Sequence, residues 1–213
     1  MNDAPTAPPL NTVLGVIAAS PRDPSEPLRS GQSPLGRTVG DFWRWAGSDL
    51  VSNTFRGWLA EYIVACALDI DTGVRLSWVA YDLRLPDGTR IEIKASGYVQ
   101  SWLQRALYKP RFSIREARSW DAETNITSAE AQRAADVYVF CLHAHTELAT
   151  LDPLDVSQWR FFVVPTFLIA ERLRSQKDLG LSTLKRLSVA ECEFEHLSSE
   201  IRTAASLAKA RRT

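Results

Sequence analysis

The chain has 213 residues, enough for one ordinary domain with a real core plus tails. Its 25 Lys and Arg balance its 25 Asp and Glu, so a polyanionic partner must meet a local cluster of basic residues rather than a globally positive protein. Cys66, Cys141 and Cys192 are scattered singly, which fits neither a zinc site nor a disulfide framework. No apolar run approaches the ~18 residues of a membrane span, and MNDAPTAPPL lacks a basic leader region, so the expectation is a cytoplasmic protein.

Residues 1–38 carry Pro5, Pro8, Pro9, Pro21, Pro24, Pro27 and Pro34, and only Val13 to Ala19 is apolar. This composition predicts a disordered or loosely ordered arm. Residues 39–213 are expected to form a single domain. The first element, over 39–47, is a short helix ended by Gly47. Ser52 or Asn53 then caps a longer helix from Phe55 to Ile70. Helical spacing assigns Phe55, Leu59, Tyr62, Ile63, Cys66 and Ala67 to its core face, with Glu61 beside that face.

Residues 74–80 lead into the stretch Tyr81 to Lys94, YDLRLPDGTRIEIK, which reads as two strands joined at Pro86-Asp87-Gly88. Proline presets φ for the turn, and Gly88 supplies the left-handed φ that closes a three-residue loop with a bulge. In that register Leu85 faces Thr89 and Asp82 lies opposite Glu92. Side chains alternate along a strand, so Tyr81, Leu83, Leu85, Ile91, Ile93 and Ala95 share one face and Asp82, Glu92 and Lys94 the other. Opposed residues have Cβ atoms only about 5 Å apart, so two carboxylates there repel. A divalent cation resolves the repulsion, and carboxylate oxygens suit Mg²⁺. Lys94 is placed to hold a water or to stabilise charge on a phosphate. The structural alternative is a solvated hairpin face with a Glu–Lys pair.

Ala95-Ser96-Gly97 ends the second strand. Residues 98–109 read as a helix with Val99, Trp102, Leu103, Ala106 and Leu107 as its stripe, stopped by Pro110. Arg105, Lys109, Arg111, Arg115 and Arg118, interleaved with Tyr108, Phe112 and Trp120, form the best candidate for a phosphate-facing surface. A strand starts at Phe112. Residues 119–134 are loop-like, with Ser128 placed to cap a helix over 129–135. Val137 to Leu142 is wholly apolar and suits a buried central strand. His143 and His145 follow at strand spacing; without a third ligand beyond Glu147 they read as structural. Residues 147–158 form a loop, and Arg160 to Val164 is another buried strand. Pro165-Thr166 caps a helix over 167–176. Short helical structure covers 181–187. A final helix runs from 198 to 212, with Ile201, Ala205, Leu207 and Ala208 on one side and the basic run KARR at its end.

Asp82, nine intervening residues, then Glu92-Ile93-Lys94 resembles the D…E-x-K core of the PD-(D/E)XK nuclease superfamily. Tyr81 stands where the family name has Pro, while the literal Pro86-Asp87 is the turn, with Asp87 at the tip and away from Glu92. Gly57-Trp58-Leu59-Ala60-Glu61 is similar to the G-h-x-x-E helix motif that precedes the hairpin in many members. Gln104 and Tyr108 match the Q-x-x-x-Y pattern of exonuclease-type members, with Gln100 one turn earlier able to compete.

The resemblance spans roughly residues 50–175. It implies an α/β restriction-endonuclease-like fold, a mixed β-sheet flanked by helices on both faces. It further implies a Mg²⁺-dependent deoxyribonuclease, with Mn²⁺ able to substitute. Asp82, Glu92 and the backbone carbonyl of Ile93 would hold the metal, Glu61 would support it through water, and Lys94 would position the attacking water. Gln104 joins the catalytic set, and DNA is the partner, with a homodimer or a partner subunit allowed. Two alternatives differ in class or substrate: a non-catalytic DNA- or protein-binding module of the same fold, and a Holliday-junction resolvase-like enzyme.

Overall fold

The computed structural model describes residues 15–70, 73–77, 79–187 and 191–211. Pro5, Pro8, Pro9, Val13 and Arg212 lie outside them. The segment read as an arm contains a hairpin, β1 (Pro27–Ser30) and β2 (Ser33–Thr38), turned at Gly31 with φ of 60°. It leads directly into α1 (Val39–Gly47). Thr38 and Asp41 close a reciprocal capping box there, each side chain accepting from the other's backbone N–H. Ser52 caps α2 (Asn53–Leu68), accepting from Phe55 N at 3.4 Å. Asp69, in the left-handed region, ends it.

The remaining elements are β3 (Leu83–Arg84), β4 (Arg90–Gly97), β5 (Arg111–Ser113), β6 (Trp120–Asp121), β7 (Ile126–Thr127), β8 (Val137–His143), β9 (Trp159–Pro165), α3 (Thr166–Leu173), β10 (Asp178–Gly180), α4 (Leu181–Arg186), β11 (Glu191–Cys192) and α5 (Phe194–Ala210). The central sheet has the order β11-β9-β8-β4-β3. β4 and β8 run parallel and the other pairs antiparallel, so the sheet is mixed. β8 is buried along its whole length, as its uninterrupted apolar sequence requires.

Helices cover both faces. Ile91, Ile93, Val137, Val139, Cys141, Phe161 and Val163 pack under α2 and α5. Tyr138, Phe140, Leu142, Phe162 and Val164 pack with Phe112 and Ile114, and with Ile169, Leu179 and Leu184 from α3, β10 and α4. The fold is a mixed α/β architecture, as expected. Among the described residues no helix is long and apolar enough to cross a membrane.

Four expectations about helices are corrected. The core face of α2 is Ala60, Ile63, Val64, Ala65 and Leu68 with Arg56, while Tyr62 and Cys66 face outward. The helix is apolar on nearly every side, so its periodicity leaves the face open.

Residues 98–109 form no helix. Gln104 accepts from Gln100 N at 2.7 Å and donates to Tyr98 O at 3.2 Å, and Tyr108 N donates to Tyr98 O at 2.9 Å. Arg56 reaches across from α2 to Val99 O and Gln100 Oε1. These bonds give the backbone an alternative to the helical ladder. They leave Trp102, Leu103 and Leu107 exposed.

Residues 129–135 likewise form no helix. Ser128 instead accepts from Ser119 N and donates to Glu130 O at the base of the β6–β7 hairpin. Finally, α5 begins at Phe194, four residues early, and buries Leu197, Ile201, Ala204, Ala205 and Ala208 while Leu207 stays exposed.

Candidate active site

The hairpin has the predicted register. Leu83 pairs with Ile91, Leu85 N donates to Thr89 O at 2.8 Å, and Gly88 has φ of 87°. Leu83, Leu85, Ile91 and Ile93 enter the core beneath α2 and α5, whereas Tyr81 packs with the opposite layer. Tyr81 precedes the regular pairing, so strand alternation does not govern it.

Asp82 sits just before β3, opposite Glu92. Its N–H donates to Ile91 O at 2.9 Å, and its Oδ2 accepts from Ile93 N at 2.6 Å. Lys94 Nζ donates to Glu92 Oε1. Glu92 and Lys94 pair with Tyr138 and Phe140 along β8, on the sheet face that also receives β5.

This arrangement is electrostatically strained. Burial, then the Glu92 charge, pushes the Asp82 carboxyl up to about 7, against the lowering effect of the Ile93 N–H. Glu61 adds to the repulsion and Lys94 offsets part of it. The same surroundings raise the Tyr138 hydroxyl, through burial first and Glu92 next. A half-buried acid raised first by desolvation and then by a neighbouring carboxylate is one that a cation beside it would stabilise.

Two opposed carboxylates match the one or two that Mg²⁺ takes while keeping several waters. Among the described residues no group of three or more His, Cys, Asp or Glu converges for an ion, so an all-protein cage of the zinc type is not what they offer. His143 bonds Gln158 at 3.3 Å and packs on Trp159; His145 bonds Thr150 at 2.7 Å. Both are tied into the fold.

Glu61 and Asp82 line one cleft of about 1180 Å³ along the β3 edge. Its walls include Trp58 and Tyr62 of α2, Val16 to Ala19, the loop around Arg75 and the β6–β7 hairpin. Glu92 and Lys94 are not in its lining, though both side chains keep some exposure. Glu61 is engaged: Arg75 Nε and Nη2 donate to its two oxygens at 2.7 and 2.8 Å. The Arg75 guanidinium lies 5.1 Å from the centre of the Trp58 ring. Arg75 is a residue of the cleft that the sequence did not single out. It stands in an irregular loop with no period or motif to mark it.

Gln104 and Gln100 bond to one another in the 98–109 loop, where Gln104 also donates to Tyr98 O, and Gln100 donates to Gly97 O of β4 at 2.7 Å. Arg105, Lys109, Arg111, Arg115 and Arg118 are all exposed; Arg115 lies 3.8 Å from Asp178. Asp87, at the hairpin tip, pairs with Lys209 at 2.6 Å, and that contact with the Thr89 N–H holds its carboxyl down at about 2. Arg211 pairs with Glu171, so Lys209 and Arg211 of the basic C-terminal run are engaged within the chain.

Residues 45–179 match the family described as bacteriophage T4 endonuclease IV. The chain belongs to that family. The match covers α2, the Asp82–Glu92 hairpin, the basic stretch and the two central strands, and leaves out the N-terminal hairpin and α5. No relative among the curated proteins matches the chain. An endonuclease family supports a nuclease, with DNA as its substrate.

Proposed function

We propose that the protein is a Mg²⁺-dependent DNA nuclease of the PD-(D/E)XK type, and that the family's name points to internal cleavage. One observation carries the reading: Asp82 and Glu92 oppose each other across the hairpin, with Asp82 raised to about 7 and Lys94 bonded to Glu92. A divalent ion held by Asp82, Glu92 and the Ile93 carbonyl would polarise the phosphate and lower the pKa of a water. Asp82 is the acceptor of the Ile93 N–H, which fixes its carboxylate against β4. With its charge neutralised it would stay ionised at neutral pH. Lys94 would then leave Glu92 to hold the attacking water at Nζ and to offset negative charge building on the phosphate oxygens. The exposed run from Arg105 to Arg118 lies on the sheet face that carries Glu92 and Lys94, where β5 packs against β4. It supplies the phosphate contacts that position the strand.

The test is cleavage of linear, nicked, single-stranded and four-way DNA in Mg²⁺, in Mn²⁺ and in EDTA. The reading expects products with either metal and none in EDTA. Cleavage in EDTA, or binding of every DNA without cleavage of any, contradicts it; the second result favours a non-catalytic DNA-binding module.

A further inference from the structure

Glu61 holds a partner that no role in metal support requires. The Arg75 guanidinium forks onto both of its oxygens, at 2.7 and 2.8 Å, and sits over Trp58, 5.1 Å from the ring centre. The fork geometry that fits a carboxylate also fits a phosphate. Trp58 restricts the guanidinium, so little freedom remains to be lost on taking a new anion. The pair is accessible: the Arg75 side chain keeps 39% of its surface exposed, and both residues line the cleft that holds Asp82. Glu61 keeps only 16% of its side-chain surface exposed and the pair is bidentate, so the anion that replaces the carboxylate must offer the same two-oxygen fork, as a phosphate does. Within this cleft Arg75 pairs with Glu61 and lies within charge range of Asp82, while Lys94, outside the cleft's lining, is occupied by Glu92.

We propose that Arg75 is a phosphate-binding residue of the cleft, masked by Glu61 in the free protein, so that DNA takes the guanidinium and releases the Glu61 carboxylate toward Asp82. This deepens the nuclease reading and rests on it for the identity of the anion. It also makes the loop around Arg75 part of the DNA path, on the opposite side of the site from the Arg105–Arg118 run.

The experiment is a double-mutant cycle on DNA binding in EDTA, with a short duplex and its single strand as probes. Arg75→Gln is expected to weaken binding about tenfold, the worth of one charged hydrogen-bonded contact. It should also lower the salt slope by about 0.9 on duplex. Glu61→Gln should strengthen binding in the Arg75 protein, and this gain should vanish in the Arg75→Gln background. Arg75→Lys, which keeps the charge without the fork, should recover part of the affinity. If Glu61→Gln strengthens binding equally in both backgrounds, the effect is general charge and the proposal fails. It also fails if Arg75→Gln leaves affinity and slope unchanged. Circular dichroism of each variant separates these outcomes from misfolding. A parallel Mn²⁺ titration of wild type and Asp82→Asn tests the nuclease reading alone: no Asp82-dependent Mn²⁺ site would sink that reading, whatever the cycle returns.

Discussion

Asp82 concentrates the physics of this protein in one side chain. Its carboxyl is raised to about 7 in the fold, against an ordinary value near 3.9 in an unfolded chain. Between those values the native state binds the proton more tightly than the unfolded state does. Metal-free stability should therefore fall as pH rises from about 4 to about 7, and level off above. Asp82→Asn removes the titration while keeping an oxygen to accept the Ile93 N–H. In EDTA the Asn variant should match or exceed wild-type stability at pH 8, with the difference closing toward pH 5; thermal melts at the two pH values decide it. Mn²⁺ at tenfold its Kd should stabilise the wild type by about 1.4 kcal/mol and the Asn variant much less. Because the cation displaces a proton from Asp82, its affinity should climb with pH up to about 7 and then flatten. A strongly destabilised Asn variant in EDTA, together with a wild type that ignores metal, would make Asp82 a purely structural acceptor.

At the scale of elements, the hairpin was legible and the helix face was not, for opposite reasons. Pro86-Asp87-Gly88 admits essentially one loop, and apolar alternation on both sides admits one register, so Asp82 opposite Glu92 follows from local rules alone. In α2 almost every position is small or apolar, and what selects its buried stripe is distant. Arg56 is buried and reaches Val99 O and Gln100 Oε1, more than forty residues away. The same arginine helps hold residues 98–109 out of the helix their periodicity predicts. Gly97 makes room for it: a Cβ there would stand 2.3 Å from Arg56 Nη1 and 3.3 Å from His143 O. Gly97→Ala should therefore displace a buried, hydrogen-bonded guanidinium and cost about 2 kcal/mol or more. Urea unfolding measures this; a change within about 0.5 kcal/mol, as for an ordinary surface substitution, would show that the α2–loop brace is loose.

At the scale of the whole molecule, a chain with no net charge clusters five exposed basic residues between Arg105 and Arg118, with Arg115 3.8 Å from Asp178, while the exposed Lys209 and Arg211 make closer pairs with Asp87 and Glu171. The account thus assigns DNA contact to the first group. Reversing Arg111 and Arg115 to Glu should weaken DNA binding and flatten its salt dependence, by about 0.9 for each lost phosphate contact. Fluorescence anisotropy over a salt series reads the slope, and an unchanged slope moves the DNA path elsewhere. The family match covers the Asp82–Glu92 hairpin, which local rules place in the sequence, whereas Arg75 emerged only from the fold, because an irregular loop carries no period. The most direct measurement is DNA cleavage in Mg²⁺ by wild type, Asp82→Asn and Lys94→Ala, with Mn²⁺ binding followed in parallel. The account predicts that both variants lose cleavage, that Asp82→Asn also loses Mn²⁺, and that Lys94→Ala keeps it. Full cleavage by Lys94→Ala, or cleavage by Asp82→Asn at the wild-type rate, would contradict the assignment of the site.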